Sequence, residues 1–260
     1  MVDLSAAVFA ILAMVLLALI AWTVSLLRRD VSVVDSFWSL FFLVGALVYA
    51  VLAAAPTARA GLVLSLVTLW ALRLAGYLTW RNWGAPEDRR YQAIRARNQP
   101  GFAWKSLYLV FGLQAVLAAV IALPLFAALG GAHALTPLDA AGAALWLIGF
   151  TFETVGDWQL ARFKARPENR GRVLDTGLWR YTRHPNYFGE AVLWWGWYLL
   201  ALAAGGWWTL FAPVLMTVLL LKVSGVTLLE QDIGERRPAY RDYIARTNAF
   251  LPWHPKGAGR

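Results

Sequence analysis

The sequence predicts an all-α integral membrane protein with seven transmembrane helices, its amino terminus outside and its carboxy terminus cytoplasmic. Three observations predict it. Apolar residues make up 60% of the 260-residue chain and charged residues only 15%, well below the quarter or so that soluble domains carry. Seven stretches come close to or exceed the roughly 20 mainly apolar residues that span a hydrocarbon core. The basic residues then fall on alternate loops, as cytoplasmic loops require.

The stretches follow in order. Leu4 to Leu27 carries no charge, and Val31 to Ala55 carries one, Asp35. Gly61 to Trp80 contains Arg73, and Phe102 to Leu129 contains Lys105 near its start. Leu138 to Phe163 is long enough to project beyond a bilayer and turns polar from Glu153 onward. Tyr187 to Ala204 and Trp207 to Leu229 are separated by the turn Gly205-Gly206. The first stretch reads as an anchor rather than a cleaved signal, because no positive charge precedes it and Arg28-Arg29 follow it. Gln231 to Pro255 reads as an amphipathic helix, with Tyr240, Tyr243 and Phe250 spaced among Arg236, Arg237, Arg241 and Arg246, either a lid or a surface anchor. The loop from Asn82 to Pro100 offers the same choice.

Placing loops alternately puts 21 of the 24 basic residues on one side, which marks the cytoplasm. Arg59 lies outside, while Arg73 and Lys222 lie within helices. Most of the net charge of +9 is therefore topological, and nucleic-acid binding loses its support. The absence of cysteine excludes disulfides, thiolate nucleophiles and cysteine-ligated metals. His133, His184 and His254 form no HExxH-like pair, so no metal site is expected. Soluble-type nucleotide motifs are missing, and without a clear internal repeat an inverted-repeat transporter has little support.

The charges that topology does not explain carry the chemistry. Asp35, Arg73, Glu153, Asp157, Glu190 and Glu230 lie toward the cytoplasmic ends of their segments, where an ionisable group costs several kcal/mol unless it is paired or faces a wet cavity. They suit either bundle-holding pairs or a cavity open to the cytoplasm. Glu153, Asp157 and Lys164 recur at helical spacing, as do Asn186, Glu190, Trp194 and Trp197, giving two polar stripes. Between them, Arg162 to Arg183 supplies seven cations with interleaved aromatics, suited to a phosphate clamp with a stacking surface or to a lipid-headgroup patch. His184, in Arg-His-Pro, reads first as a turn residue.

The run Gly177-Leu-Trp-Arg-Tyr-Thr-Arg-His-Pro-Asn-Tyr-Phe-Gly-Glu190, with Trp194-Trp195-Gly196 after it and Gly156-Asp157 ahead, then Tyr240-Arg-Asp-Tyr243 and Phe250-Leu-Pro252, resembles the steroid 5-alpha-reductase family. It is most similar to the bacterial branch once classed as a domain of unknown function, DUF1295. The resemblance implies a membrane enzyme that uses NADPH to reduce the 4,5 double bond of a 3-oxo-4-ene steroid or similar enone lipid. Residues 1–130 would enclose the lipid-like substrate and 131–260 would hold the cofactor in one membrane domain of a bacterial inner membrane, the cofactor facing the cytoplasm.

Carried over by residue, the cofactor contacts fall on Asp157, Arg172, Asn186 and Glu190, with Lys164 in place of an arginine and Glu153 in place of an asparagine. Gly171 stands where eukaryotic relatives have a tyrosine. The resemblance also puts Arg73, Tyr181, His184, Tyr187, Glu230 and Tyr240 near the cofactor, and Trp38, Trp70 and Trp194 with Asp35 near the substrate. Asp35 corresponds to the family's catalytic glutamate. Its partner tyrosine falls on Trp70 by counting, with Tyr77 on the same face as the alternative hydroxyl. Hydride addition builds negative charge on the enone oxygen, so a buried acid held neutral would serve as hydrogen-bond donor. Asp35 suits that role, or else pairs with Arg73.

Two other classes compete. Arg-His-Pro and the tyrosine-rich tail also resemble isoprenylcysteine carboxyl methyltransferases, which use S-adenosylmethionine, though that cofactor has no phosphates to occupy the arginines. A non-enzymatic sterol or lipid binder or transporter is the third. The expected partners are a steroid or enone lipid and membrane lipids, and a monomer suffices for each.

Overall fold

A computed structural model describes residues 2–53, 57–131, 134–223, 225–231 and 233–256. Ala54 and Ala55, His133, Arg260 and the side chain of Arg236 lie outside the described residues. Every regular element among the described residues is helical. Six helices are long and apolar enough to cross a membrane: α1 (Leu4–Arg28), α2 (Val33–Ala53), α3 (Ala58–Asn82), α5 (Phe102–Ile121), α7 (Pro137–Lys164) and α9 (Trp207–Glu235). Shorter helices are α4 (Arg89–Arg97), α6 (Leu123–Leu129), α8 (Pro185–Ala203) and α10 (Ala239–Arg246). The protein is an integral membrane protein by this measure.

The expected sixth span falls on a helix, α8, whose 19 residues reach about 28 Å. Its three tryptophans, Asn186 and Glu190 leave it outside the set apolar enough to cross. The expected fourth segment is two helices, because Pro124 lacks the N–H that would continue α5, and α6 starts afresh with Leu125 to Leu129 buried. The expected amphipathic tail is helical over Ile233–Arg236 and over α10, and Phe250 lies beyond the helix in irregular backbone.

The chain divides into two compact units. The first comprises Met1–Thr136 with Leu200–Thr209. Asp3 caps α1 by accepting from the Ala6 amide at 3.0 Å. One face of α1 is small and buried (Ala6, Ala10, Met14, Ala18, Ala21), while Leu12, Leu16 and Ile20 point outward. That division brings α2 close, so close that a Cβ at Gly45 would strike Met14. Ser39 Oγ then donates to the Ala71 carbonyl at 2.9 Å and ties α2 to α3. Tyr49 stacks on Phe126 with ring centroids 4.8 Å apart, seating α6.

The second unit comprises Pro137–Leu199 and Leu210–Arg260. Its axis is the antiparallel pair α7 and α8. Gly149 faces Gly189, Gly156 faces Pro185 and Asn186, and Gly196 faces Trp146, so near that an added Cβ at any of these would meet its neighbour's backbone or the Pro185 ring. Glycines at 142, 149 and 156 and again at 189 and 196 recur every seven residues. A seven-residue repeat keeps one seam facing its partner, and without side chains in that seam the backbones touch.

Candidate functional site

In the second unit the seam fixes the polar stripes side by side. Glu153 and Asp157 are buried on α7, and Asn186 at the start of α8 donates from Nδ2 to Asp157 Oδ1 at 3.1 Å. Glu190 lies one turn beyond Asn186 on the same face. Trp194 and Trp197, further along, are fully buried.

The segment between the helices is pinned to α7. Gly177 adopts a positive φ of 61°, which places the Leu178 amide 3.0 Å from Gln159 Oε1. Trp179 follows, donating its indole N–H to the Gly156 carbonyl at 3.1 Å. Lys164, Arg166, Arg170, Arg172 and Arg180 stay exposed along this segment, and Arg162 lies 5.3 Å over Trp158.

The seventh cation of the expected clamp is not available to a ligand. Arg183 is 7% exposed, and its guanidinium holds both oxygens of Glu230 at 2.7 Å together with the carbonyls of Ile244 and Thr247. His184, also buried, places Nε2 2.9 Å from Glu230 Oε1 and stacks on Tyr187 at 5.5 Å. Arg183, His184 and Glu230 thus form one buried cluster that holds the Arg-His-Pro turn.

That turn also fastens the tail. The Arg183 amide donates to Asn248, the Thr182 hydroxyl to Phe250 and the Trp253 amide to Tyr181, whose ring meets His254 edge-on at 5.9 Å. Tyr243, buried, donates to the Trp179 carbonyl. The tail is a clasp over residues 179–184.

Tyr240 packs edge-on against Tyr243 at 5.2 Å. Burial and the nearby Glu230 carboxylate push its phenol up to about 12. The folded pKa lies above the unfolded value, so the associated stability is present below about pH 10 and is lost as pH rises toward 12. Melting temperature followed from pH 9 to 12 should fall in this window, and Tyr240→Phe should reduce the fall.

In the first unit Asp35 sits one turn into α2 with its carboxylate 16% exposed. Its partner is Arg90 rather than the expected Arg73, with Nη2 to Oδ2 at 2.7 Å. The Tyr91 hydroxyl donates to Oδ1 at 2.6 Å, and Gln114 on α5 donates to Tyr91 at 3.3 Å. Asp35 is therefore an acceptor on both oxygens. Desolvation opposes the Arg90 charge, but Asp35 and Asp88 outweigh it and hold the guanidinium above its ordinary range. Burial first, and the Asp35 charge second, push the Tyr91 phenol well above its usual value.

The 82–100 loop that carries these partners is anchored as well. Asp88 caps α4 through the Arg90 amide and donates its own amide to Ser32 at 2.8 Å. Glu87 takes the Val31 amide and a two-point bond from Arg95. Trp38 meets Phe42 edge-on at 5.2 Å, and Phe42 leans on buried Trp70 at 5.7 Å. Tyr77 packs on Trp80, with Arg81 over its ring. Arg73 is half-buried on α3, in a groove of about 680 Å³ lined by Leu64, Ser65, Thr68, Leu69 and Leu72.

Arg90 and Tyr91 as partners of Asp35 are the residues the sequence did not single out. Their signal was Asp88 followed by a short polar helix, which is a helix start whose first turn had to dock somewhere.

Among known proteins, the family described as "Protein of unknown function (DUF1295)" matches residues 21–247. The "Uncharacterized protein C594.04c" of Schizosaccharomyces pombe is 27% identical over 90% of this chain and 76% of its own length. The "3-oxo-5-alpha-steroid 4-dehydrogenase 1" of Bos taurus is 36% identical over 66 residues, 25% of this chain and 26% of that protein. No solved structure matches.

Proposed function

The chain belongs to the DUF1295 family, and on that premise we propose that it is a membrane oxidoreductase in which NADPH reduces the 4,5 double bond of a 3-oxo-4-ene steroid or a similar enone lipid. The observation that carries this reading is the arrangement in the second unit. Asp157 and Asn186 are bonded on the glycine seam, beside a segment that keeps Lys164, Arg166, Arg170, Arg172 and Arg180 exposed. These residues fit a phosphorylated dinucleotide: arginine forks match phosphate oxygens two at a time, and paired acid and amide groups suit ribose or amide hydrogen bonds. The local similarity to a steroid dehydrogenase supports the same class. Bound NADPH would supply the hydride.

In this reading Arg172 and Lys164 take phosphate, Asp157, Asn186, Glu153 and Glu190 orient the cofactor, and Tyr181, Tyr187 and Tyr240 border it. Arg183, His184 and Glu230 keep the turn that carries Asn186 in place. Tyr91 serves the reacting carbonyl, and Asp35 positions it. Tyr91 is held protonated by burial and by Asp35, and its hydroxyl would turn from Asp35 to a developing oxyanion, giving up one hydrogen bond for the other. It takes the part that the sequence sought at Tyr77 or Trp70, while Trp38 and Trp70 are the aromatic residues of the first unit expected near a steroid. We place α8 as a seventh span, with the amino terminus outside and the carboxy terminus and cofactor residues on the cytoplasmic face of a bacterial inner membrane. The one-sided distribution of basic residues supports that orientation.

The test separates catalysis from packing. If Tyr91 acts on the carbonyl and Asp35 positions it, Tyr91→Phe should lower turnover about 100-fold to 1,000-fold and Asp35→Asn should lower it as well, each changing cofactor affinity little. NADPH-dependent reduction of a 3-oxo-4-ene steroid is measured beside the melting temperature. A stable variant with wild-type turnover removes the catalytic role; an unstable variant that is active per folded molecule assigns the cluster to holding α4 on α2.

A further inference from the structure

At the end of the first unit where α1 stops, α2 starts and α3 stops, a pocket of about 370 Å³ opens. Its size lies at the lower end of the range of small-molecule sites, about 300 to 1,000 Å³. The lower wall is apolar, built from Val24, Val33 and Phe37, and the rim is polar, with Ser32, Ser36, Thr79 and Asn82. Four charged groups line it: Arg28, Arg29, Asp30 and Glu87.

Those charges are not equally free. Glu87 spends both oxygens on Arg95 and one of them also on the Val31 amide. Asp30 Oδ1 accepts from the Ser32 amide and hydroxyl. Arg28 and Arg29, both exposed, make no ion pair among the described residues. Arg28 instead lies over the Trp83 ring at 4.5 Å. Arg29 ends α1 in a left-handed turn, φ 54°, which turns its backbone out of the helix beside the pocket. Glu87 is thus paired with Arg95 and Asp30 is turned onto Ser32, so two guanidiniums stand against one carboxylate and the pocket keeps a net positive charge.

We propose that this pocket binds the phosphate of an anionic glycerophospholipid, its headgroup on Arg28 and Arg29 and its acyl chains descending along the apolar wall. Basic pockets between helices at a membrane surface hold anionic headgroups in this way. An arginine fork matches two phosphate oxygens at once, and exposed Trp80 and Trp83 put the rim at interfacial depth. Lipid bound here would bridge three helix ends. Asp35 is not among its lining residues, and the proposal does not depend on the activity proposed above.

The experiment is native mass spectrometry and thermal melting of the detergent-purified full chain with added phosphatidylglycerol, phosphatidylcholine or inorganic phosphate. Phosphatidylglycerol should bind and raise the melting temperature, and Arg28→Gln/Arg29→Gln should weaken its binding roughly tenfold or more. Arg89→Gln/Arg97→Gln, which removes the same charge from the exposed face of α4, should leave it unchanged. Equal binding of phosphatidylcholine, or an equal loss in both double variants, overturns the proposal. Full stabilisation by inorganic phosphate alone overturns the lipid source.

Discussion

Gly149→Leu is expected to unfold the second unit or lower its stability by about 3 kcal/mol or more. A Cβ at this position would collide with the Leu193 backbone and the Gly189 carbonyl. Backbone, unlike a flexible side chain, cannot step aside, so α7 and α8 must separate. Separation would also part Asn186 from Asp157, so cofactor affinity should fall with stability. Gly149→Ala should show a smaller loss of the same sign. Gly76, on the exposed side of α3 with nothing within 4 Å of an added Cβ, is the control. There Gly→Ala should gain about 0.5 to 1 kcal/mol from helix propensity. Thermal melts in detergent of the three variants decide it, and equal behaviour at Gly149 and Gly76 would dismiss the seam.

Glu230→Ala is expected to cost about 3 to 5 kcal/mol, the usual penalty for removing one partner of a buried ion pair. The carboxylate is 16% exposed, and its partners Arg183 and His184 have side chains 8% and 7% exposed, so little water would replace it. Arg183 would keep its bonds to the Ile244 and Thr247 carbonyls, which offsets only part of the stranded charge. Glu230→Gln should recover some of the loss by accepting one hydrogen bond. If Glu230 served the cofactor alone, its removal would weaken NADPH binding without moving the melting temperature.

Helix positions were legible because burying twenty apolar residues in a row has few alternatives, and the spans around α1, α2, α3 and α7 follow that rule. Asp157 and Asn186 were legible as one patch because each recurs with a second polar group at helical spacing. What the sequence obscured is how close charges pair. Asp35 and Arg73 are both intramembrane charges and so suggest each other, but Arg90 reaches Asp35 because the Asp88 cap and the Ser32 bond dock α4 onto α2. Arg183 counted as one more cation of a clamp until the tail folded over it. α8 has the length of a span, yet its tryptophans and polar side chains lower its hydropathy below that of the six apolar helices. The glycines of the seam were readable as a seven-residue repeat across two separate helices, a signal that single-segment hydropathy ignores.

The central claim is that the second unit holds NADPH for reduction of an enone lipid. The direct measurement is titration of NADPH and NADH into the purified protein, followed by tryptophan fluorescence, beside coenzyme oxidation with a 3-oxo-4-ene steroid. Saturable NADPH binding is expected, preferred over NADH by more than tenfold, since a charge-assisted contact to the extra phosphate contributes about 1.5 to 3 kcal/mol. Steroid-dependent oxidation is expected as well, and binding weakened in Asn186→Ala and Arg172→Ala proteins that melt like the wild type. Undetectable NADPH binding by a folded protein, or equal affinity for both coenzymes in wild type and both variants, would contradict it.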